Sequence, residues 1–123
     1  MSGIKLVADT NASVHHLNGS IAVNSIFENS ATFISSITFT ELLANKNLTD
    51  EEMVIVRVYQ DSINVIHTND SIFEIAAEIR KSNRVKLPDA IIAATSLFLS
   101  VPLVTFDKGF RSINKLRIIT PLF

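Results

Sequence analysis

The sequence has no cysteine, no tryptophan, and only three glycines and three prolines in 123 residues. Without cysteine, disulfides, thiolate metal sites and cysteine nucleophiles are excluded. The glycines stand apart at Gly3, Gly19 and Gly109, so no glycine-rich loop exists to cradle a phosphate. Long apolar runs are also missing. The longest, Ala90–Leu99, is too short to span a bilayer and contains Thr95 and Ser96. Met1-Ser2-Gly3 lacks the basic and long apolar regions of a signal peptide. A reducing cytoplasm suits this composition, and no membrane association is expected. The net charge of −1 indicates no partner by itself.

Hydrophobic residues make up 47% of the chain, enough for a packed core and too many for a disordered one. The length suggests one domain over residues 1–123. A mean hydropathy of +0.33 is high for a small soluble chain and points to a patch covered by an oligomer or a partner. Charge is unevenly distributed. Eight of the eleven cations lie from Arg80 onward, where only two acids occur, Asp89 and Asp107. The bland reading of this basic stretch is a set of solvated helix faces.

Strand and helix signals alternate along the chain. Ile4–Ala8 reads as a buried strand that ends on Asp9-Thr10-Asn11 and turns into a helix from Ala12. Helical spacing follows over Ser20–Asn29, a strand over Ala31–Ser36 and a helix from Thr38. Leu48–Tyr59 carries conflicting signals. Thr49-Asp50-Glu51-Glu52 looks like a capping box, yet Val54–Tyr59 is rich in strand formers. The start signal favours helix, with a strand at Ile63–Ile66. Asn69-Asp70-Ser71 can cap the next helix, striped by Ile72, Phe73, Ile75, Ala76 and Ile79. Arg80–Lys86 reads as a basic loop, and Pro88 suits the first position of a helix over Asp89–Ser100. Strands at Leu103–Thr105 and Arg117–Ile119 complete the set, separated by a turn at Asp107–Phe110. This order predicts a three-layer α/β/α domain around a mostly parallel five-stranded sheet.

Each of four acids has a structural explanation when taken alone. Asp9 can cap the first helix, Glu41 can complete a capping box with Thr38, Asp89 suits a helix dipole, and Asp107 can cap the turn before Gly109. Together they lie where a parallel sheet gathers its working groups, beyond the carboxyl ends of the strands. Clustered carboxylates repel one another, and a divalent cation removes the conflict. Oxygen-only ligands favour Mg²⁺ or Mn²⁺ over zinc. Such a metal activates water and neutralises charge on a phosphodiester.

Adjacent His15 and His16 point in different directions on one helix, His67 is isolated, and all three read as surface or packing residues. Ser35 and Ser36 have no His–Asp arrangement to activate them. Tyr59 and the eight phenylalanines read as core, with Phe106 and Phe110, flanking Asp107, as candidate stacking surfaces for bases.

Four segments in order, Asp9-Thr10-Asn11, Ser36–Leu43, Leu87–Ala94 and Leu103–Phe110, resemble the PIN-domain nucleases, specifically the toxin ribonucleases of VapBC toxin–antitoxin modules. The resemblance implies a PIN-like fold and a metal-dependent endoribonuclease with Asp9, Glu41, Asp89 and Asp107 as its acidic, metal-binding set. It also implies a cognate antitoxin and a toxin homodimer. Asn11 and Thr105 match positions that support the carboxylates by hydrogen bonds. Gly109 departs from the polar residue many relatives carry there. Arg80, Lys81, Arg84 and Lys86, close before Asp89, are candidates for holding RNA phosphates. Two rivals stand beside this reading: a receiver-like phospho-acceptor domain, which shares the length and the acidic rim, and a PIN-fold module that binds RNA or protein without cleaving.

Overall fold

The fold is built on a strand that changes sides residue by residue. In the computed structural model, which describes residues 3–122, β1 (Lys5–Ala8) buries Leu6 and Ala8 in one core and Val7 in another. Alternation with both faces buried is what a central parallel strand requires. Met1, Ser2 and Phe123 lie outside the described residues, and so do the sequence readings that fall on them.

After β1 the chain runs through α1 (Thr10–Leu17), α2 (Ile21–Phe27), β2 (Ala31–Ser35), α3 (Ser36–Leu43), α4 (Asp50–Ser62) and β3 (Asn64–Ile66). It continues through α5 (Asp70–Ser82), α6 (Leu87–Leu99), β4 (Leu103–Val104), a 3-10 turn at Lys108–Ser112, and β5 (Ile118–Ile119). The strand order is β3-β2-β1-β4-β5, and every pairing is parallel. A receiver-type sheet runs 2-1-3-4-5. The order found here removes the receiver-like reading.

One core lies against α5 and α6, with Val7, Ile72, Ile79, Ile92 and Leu103 at its centre. The other lies against α1, α2 and α4 and contains Leu6, Val23, Phe27, Ile34 and Val56. The expected three layers are present. Helix α6 is buried from Ala90 to Ser96, and its three alanines let it pack closely.

Several boundaries differ from the sequence reading. Helix α3 starts directly at Ser36, capped by Ser35, whose Oγ accepts from Ile37 N at 3.2 Å. Glu41 therefore stands too far into the helix for a capping box with Thr38. Helix α5 runs to Ser82, so Arg80 and Lys81 belong to its last turn and the loop begins at Asn83. Helix α6 starts at Leu87, with Pro88 in its first turn. The ambiguous stretch is helical, and its capping box is complete: Thr49 and Glu52 exchange hydrogen bonds of 3.1 Å.

Candidate active site

Parallel strands deliver their next residues to one rim of the sheet. At the end of β1, Asp9 closes the first turn of α1: Oδ1 accepts from Ala12 N at 2.8 Å. At the end of β4, the Thr105 hydroxyl donates to Asp9 Oδ2 at 2.5 Å and accepts from Asp107 N at 2.9 Å. One hydroxyl thus joins the two strand ends. Asp107 in turn caps the 3-10 turn, accepting from Gly109 N at 2.7 Å. A Cβ at position 109 would stand 3.1 Å from Asp107 Oδ1, so the glycine lets this turn close tightly.

Glu41 enters from α3 and accepts a 2.5 Å hydrogen bond from the Thr10 hydroxyl. Asp89 enters from the first turn of α6. All four acids, with Thr10, Asn11, Val14 and Phe106, line one open cleft of about 460 Å³.

Only 4% of the Asp9 surface is exposed. Its carboxyl is raised above the ordinary 3.8, chiefly by burial and further by Asp89 and Asp107; the bonds from Thr105 and Ala12 N pull the other way. The Asp89 carboxyl is also raised, by burial first and then by Asp107 and Glu41, with Lys86 offsetting part of this. The acids feel one another across the cleft, which is the signature of a shared charge site.

The other sequence candidates divide. The Thr105 hydroxyl bonds the Asp9 carboxylate. Asn11 is exposed at the rim and bonds no carboxylate. Arg84 and Lys86 line an adjoining cleft that shares Asp89 and Asp107 with the first. Arg80 and Lys81 line neither cleft, and Lys81 pairs with Glu78 at 2.9 Å on the exposed face of α5. Phe106 borders the acid cleft and packs on His15 with ring centroids 4.8 Å apart. Phe110 is 2% exposed and belongs to the α5–α6 core, which removes it as a stacking surface. His16 packs edge-on against Phe27 and Tyr59, and His67 is exposed away from the cleft. Thr10 carries no role of its own on the sequence reading and Thr38 only that of a helix cap, yet their hydroxyls stand 3.2 Å apart. The available signals were adjacency to Asp9 and the three-residue spacing of Thr38 and Glu41 on one helix.

The PIN domain family matches residues 6–116. The chain belongs to the PIN domain family. Among solved structures, this PIN domain is similar to a chain of a toxin–antitoxin complex from Klebsiella pneumoniae, at 27% identity and a TM-score of 0.80, over 95% of this chain and 98% of that one. It is similar to a chain of DNA-bound VapBC from Salmonella typhimurium, at 24% identity and a TM-score of 0.84, with the same coverage. A chain of VapBC2 from Rickettsia felis, bound to a promoter DNA fragment, is similar at 20% identity and a TM-score of 0.83, again over 95% and 98%. No curated protein sequence matches.

The donor set of this PIN domain suits a hard divalent cation: four carboxylates and no thiolate or imidazole face the cleft. Among the described residues, however, no three acids or histidines are arranged as placed to hold one ion. Asp9 commits both carboxyl oxygens to neighbouring donors, and Glu41 and Asp107 commit one each.

Proposed function

We propose that the chain, as one PIN domain over residues 1–123, is a Mg²⁺- or Mn²⁺-dependent endoribonuclease and the toxin of a toxin–antitoxin pair. The observation that carries this is the convergence of Asp9, Glu41, Asp89 and Asp107 on one cleft in a PIN-family chain. These four would hold the metal. A bound divalent cation supplies a water of lowered pKa and positive charge against the phosphate. The chain's own residues do the rest. Thr105 and Ala12 N favour the ionised form of Asp9 against the burial that raises its carboxyl. Arg84 and Lys86, in the adjoining cleft, hold the RNA backbone, with Arg80 and Lys81 contributing at longer range.

Support for an antitoxin partner comes from the solved relatives, which are toxin–antitoxin complexes by their own descriptions. A groove of mixed lining, with Val14, Leu17, Leu42 and Ile55 beside Asn18, Asn45 and Glu52, opens onto Glu41 and gives such a partner a surface beside the cleft. We place the toxin in the cytoplasm as a homodimer. Among the described residues, no helix is long and apolar enough to cross a membrane.

The test is cleavage of mapped RNAs by purified protein with Mg²⁺ or with EDTA, wild type against Asp89→Asn. Cleavage that needs both the metal and Asp89, leaving 5′-phosphate and 3′-hydroxyl ends, is expected. A 2′,3′-cyclic phosphate product would overturn water attack. Tight RNA binding without cleavage by the wild type would favour the non-cleaving PIN module instead.

A further inference from the structure

Thr10 is the first residue of α1, and its side chain reaches across to an acid on another helix. Its hydroxyl has one proton. That proton goes to Glu41 Oε1 at 2.5 Å, the length of a hydroxyl–carboxylate bond assisted by charge. Thr10 Oγ1 also lies 3.2 Å from Thr38 Oγ1, the longer of its two contacts. Thr38 is fully buried, and its hydroxyl stands against Thr10. The result is a hydroxyl–carboxylate cluster in which Thr10 of α1 stands against both Thr38 and Glu41 of α3.

We propose that Thr10 is a positioning residue for Glu41. By holding Oε1 it leaves Oε2 as the oxygen free to serve the cleft, and it limits the rotamers of a long, flexible side chain. Asp9 and Thr10 are neighbours, so α1 sets the places of two of the four acids: Asp9 by capping its first turn, Glu41 by this bond. Thr10 acts through Glu41, and the expected result of losing it is weaker cation binding with the fold intact. This inference rests on the divalent-cation reading of the cleft.

The experiment is calorimetric titration of the purified full chain with Mn²⁺, beside thermal melts of the metal-free protein. Thr10→Val removes the hydroxyl at nearly constant shape and is expected to weaken Mn²⁺ binding about tenfold, the usual consequence of losing an outer-shell partner. Thr10→Ser is expected to bind within about threefold of wild type on the same ground. Thr10→Val combined with Glu41→Gln is expected to bind no more weakly than Glu41→Gln alone, because the two residues act as one unit. A Thr10→Val protein that binds Mn²⁺ as wild type does, a serine variant as weak as the valine, or an additive double variant would overturn the proposal. Thr10→Ala carries the same expectations if the valine variant does not fold. Wild type that takes up no Mn²⁺ overturns the metal reading and this inference with it. Wild type that binds, with Thr10→Val unaffected, overturns this inference alone.

Discussion

Thr105 donates its hydroxyl to a carboxylate 96 residues earlier in the chain, Asp9 Oδ2, at 2.5 Å. The same hydroxyl accepts from Asp107 N, so it fixes both a buried acid and the loop that carries an exposed one. The bond favours the ionised form of Asp9 against a burial that opposes it. Thr105→Val should therefore raise the Asp9 carboxyl further and lower RNA cleavage about 10- to 100-fold. The acid limb of the pH–rate profile should move to higher pH, because a weaker acid ionises later. Thr105→Ser should restore both. Single-turnover cleavage measured across pH checks this, and an acid limb that stays in place in the valine variant counts against it.

The raised Asp9 and Asp89 carboxyls make a prediction for stability. A folded-state value above the ordinary 3.8 means that the folded protein holds these protons more tightly than the unfolded chain. The stabilisation is full below 3.8 and is lost as pH rises through the raised values. Near neutral pH the metal-free protein carries the resulting repulsion, and a cation offsets it. Mn²⁺ at about 100 times its Kd should add about 2.7 kcal/mol, or about 10 °C in Tm for a domain of this size. The gain should shrink between pH 7.5 and pH 5 as protons compete for the same oxygens. Asp89→Asn should melt higher than wild type without metal at pH 7.5 and gain less from Mn²⁺. Thermal melts at the two pH values, with and without Mn²⁺, decide it.

The rim acids were legible because the strand-then-acid pattern at Asp9 and Asp107 is local, and because a parallel sheet has only one place to put such residues. The helix at Asp50–Ser62 was legible for a different reason. Its Thr49–Glu52 box fixes the start strongly enough to outweigh Val54, Ile55, Val56 and Val58, three of which are left exposed on the helix surface. The role of Thr10 was hidden, since it depends on α1 and α3 meeting across 31 residues. Phe110 misled for the opposite reason. It flanks an exposed acid in sequence, but the 3-10 turn rotates it into the α5–α6 core. Arg80 and Lys81 looked like loop residues because two cations side by side carry no helix-end signal strong enough to mark Ser82.

The two halves of the basic stretch should separate on RNA. Arg84 and Lys86 face the cleft that adjoins Asp89, whereas Lys81 is already paired with Glu78. On single-stranded RNA each neutralised phosphate contributes a slope of about −0.7 to log K against log salt. Replacing Arg84 and Lys86 by glutamine should make that slope shallower by up to about 1.4, two such contacts' worth. The Arg80/Lys81 double replacement should change it by less. Fluorescence anisotropy in EDTA, which prevents cleavage, measures both, and equal slopes for the two double variants would refute the division.

His16 and Tyr59 test whether the second core is separate from the chemistry. Tyr59 OH lies 3.0 Å from His16 Nδ1, and burial pushes the phenol up to about 12 and the imidazole below its ordinary 6.5. A lowered histidine means that the unfolded chain binds this proton more tightly. The stabilisation is present above 6.5 and is lost as pH falls from there toward the lower folded value. Because burial is the cause, Tyr59→Phe should lower stability by about 1 kcal/mol, the worth of one hydrogen bond, and leave the pH dependence in place. His16→Gln should remove that part of the pH dependence. Neither residue lines the acid cleft, so both variants should cleave RNA at close to the wild-type rate below their melting temperatures. Urea titrations at several pH values, paired with cleavage rates at one, separate the two effects. A Tyr59→Phe protein that keeps its stability and loses activity would tie this pair to the site.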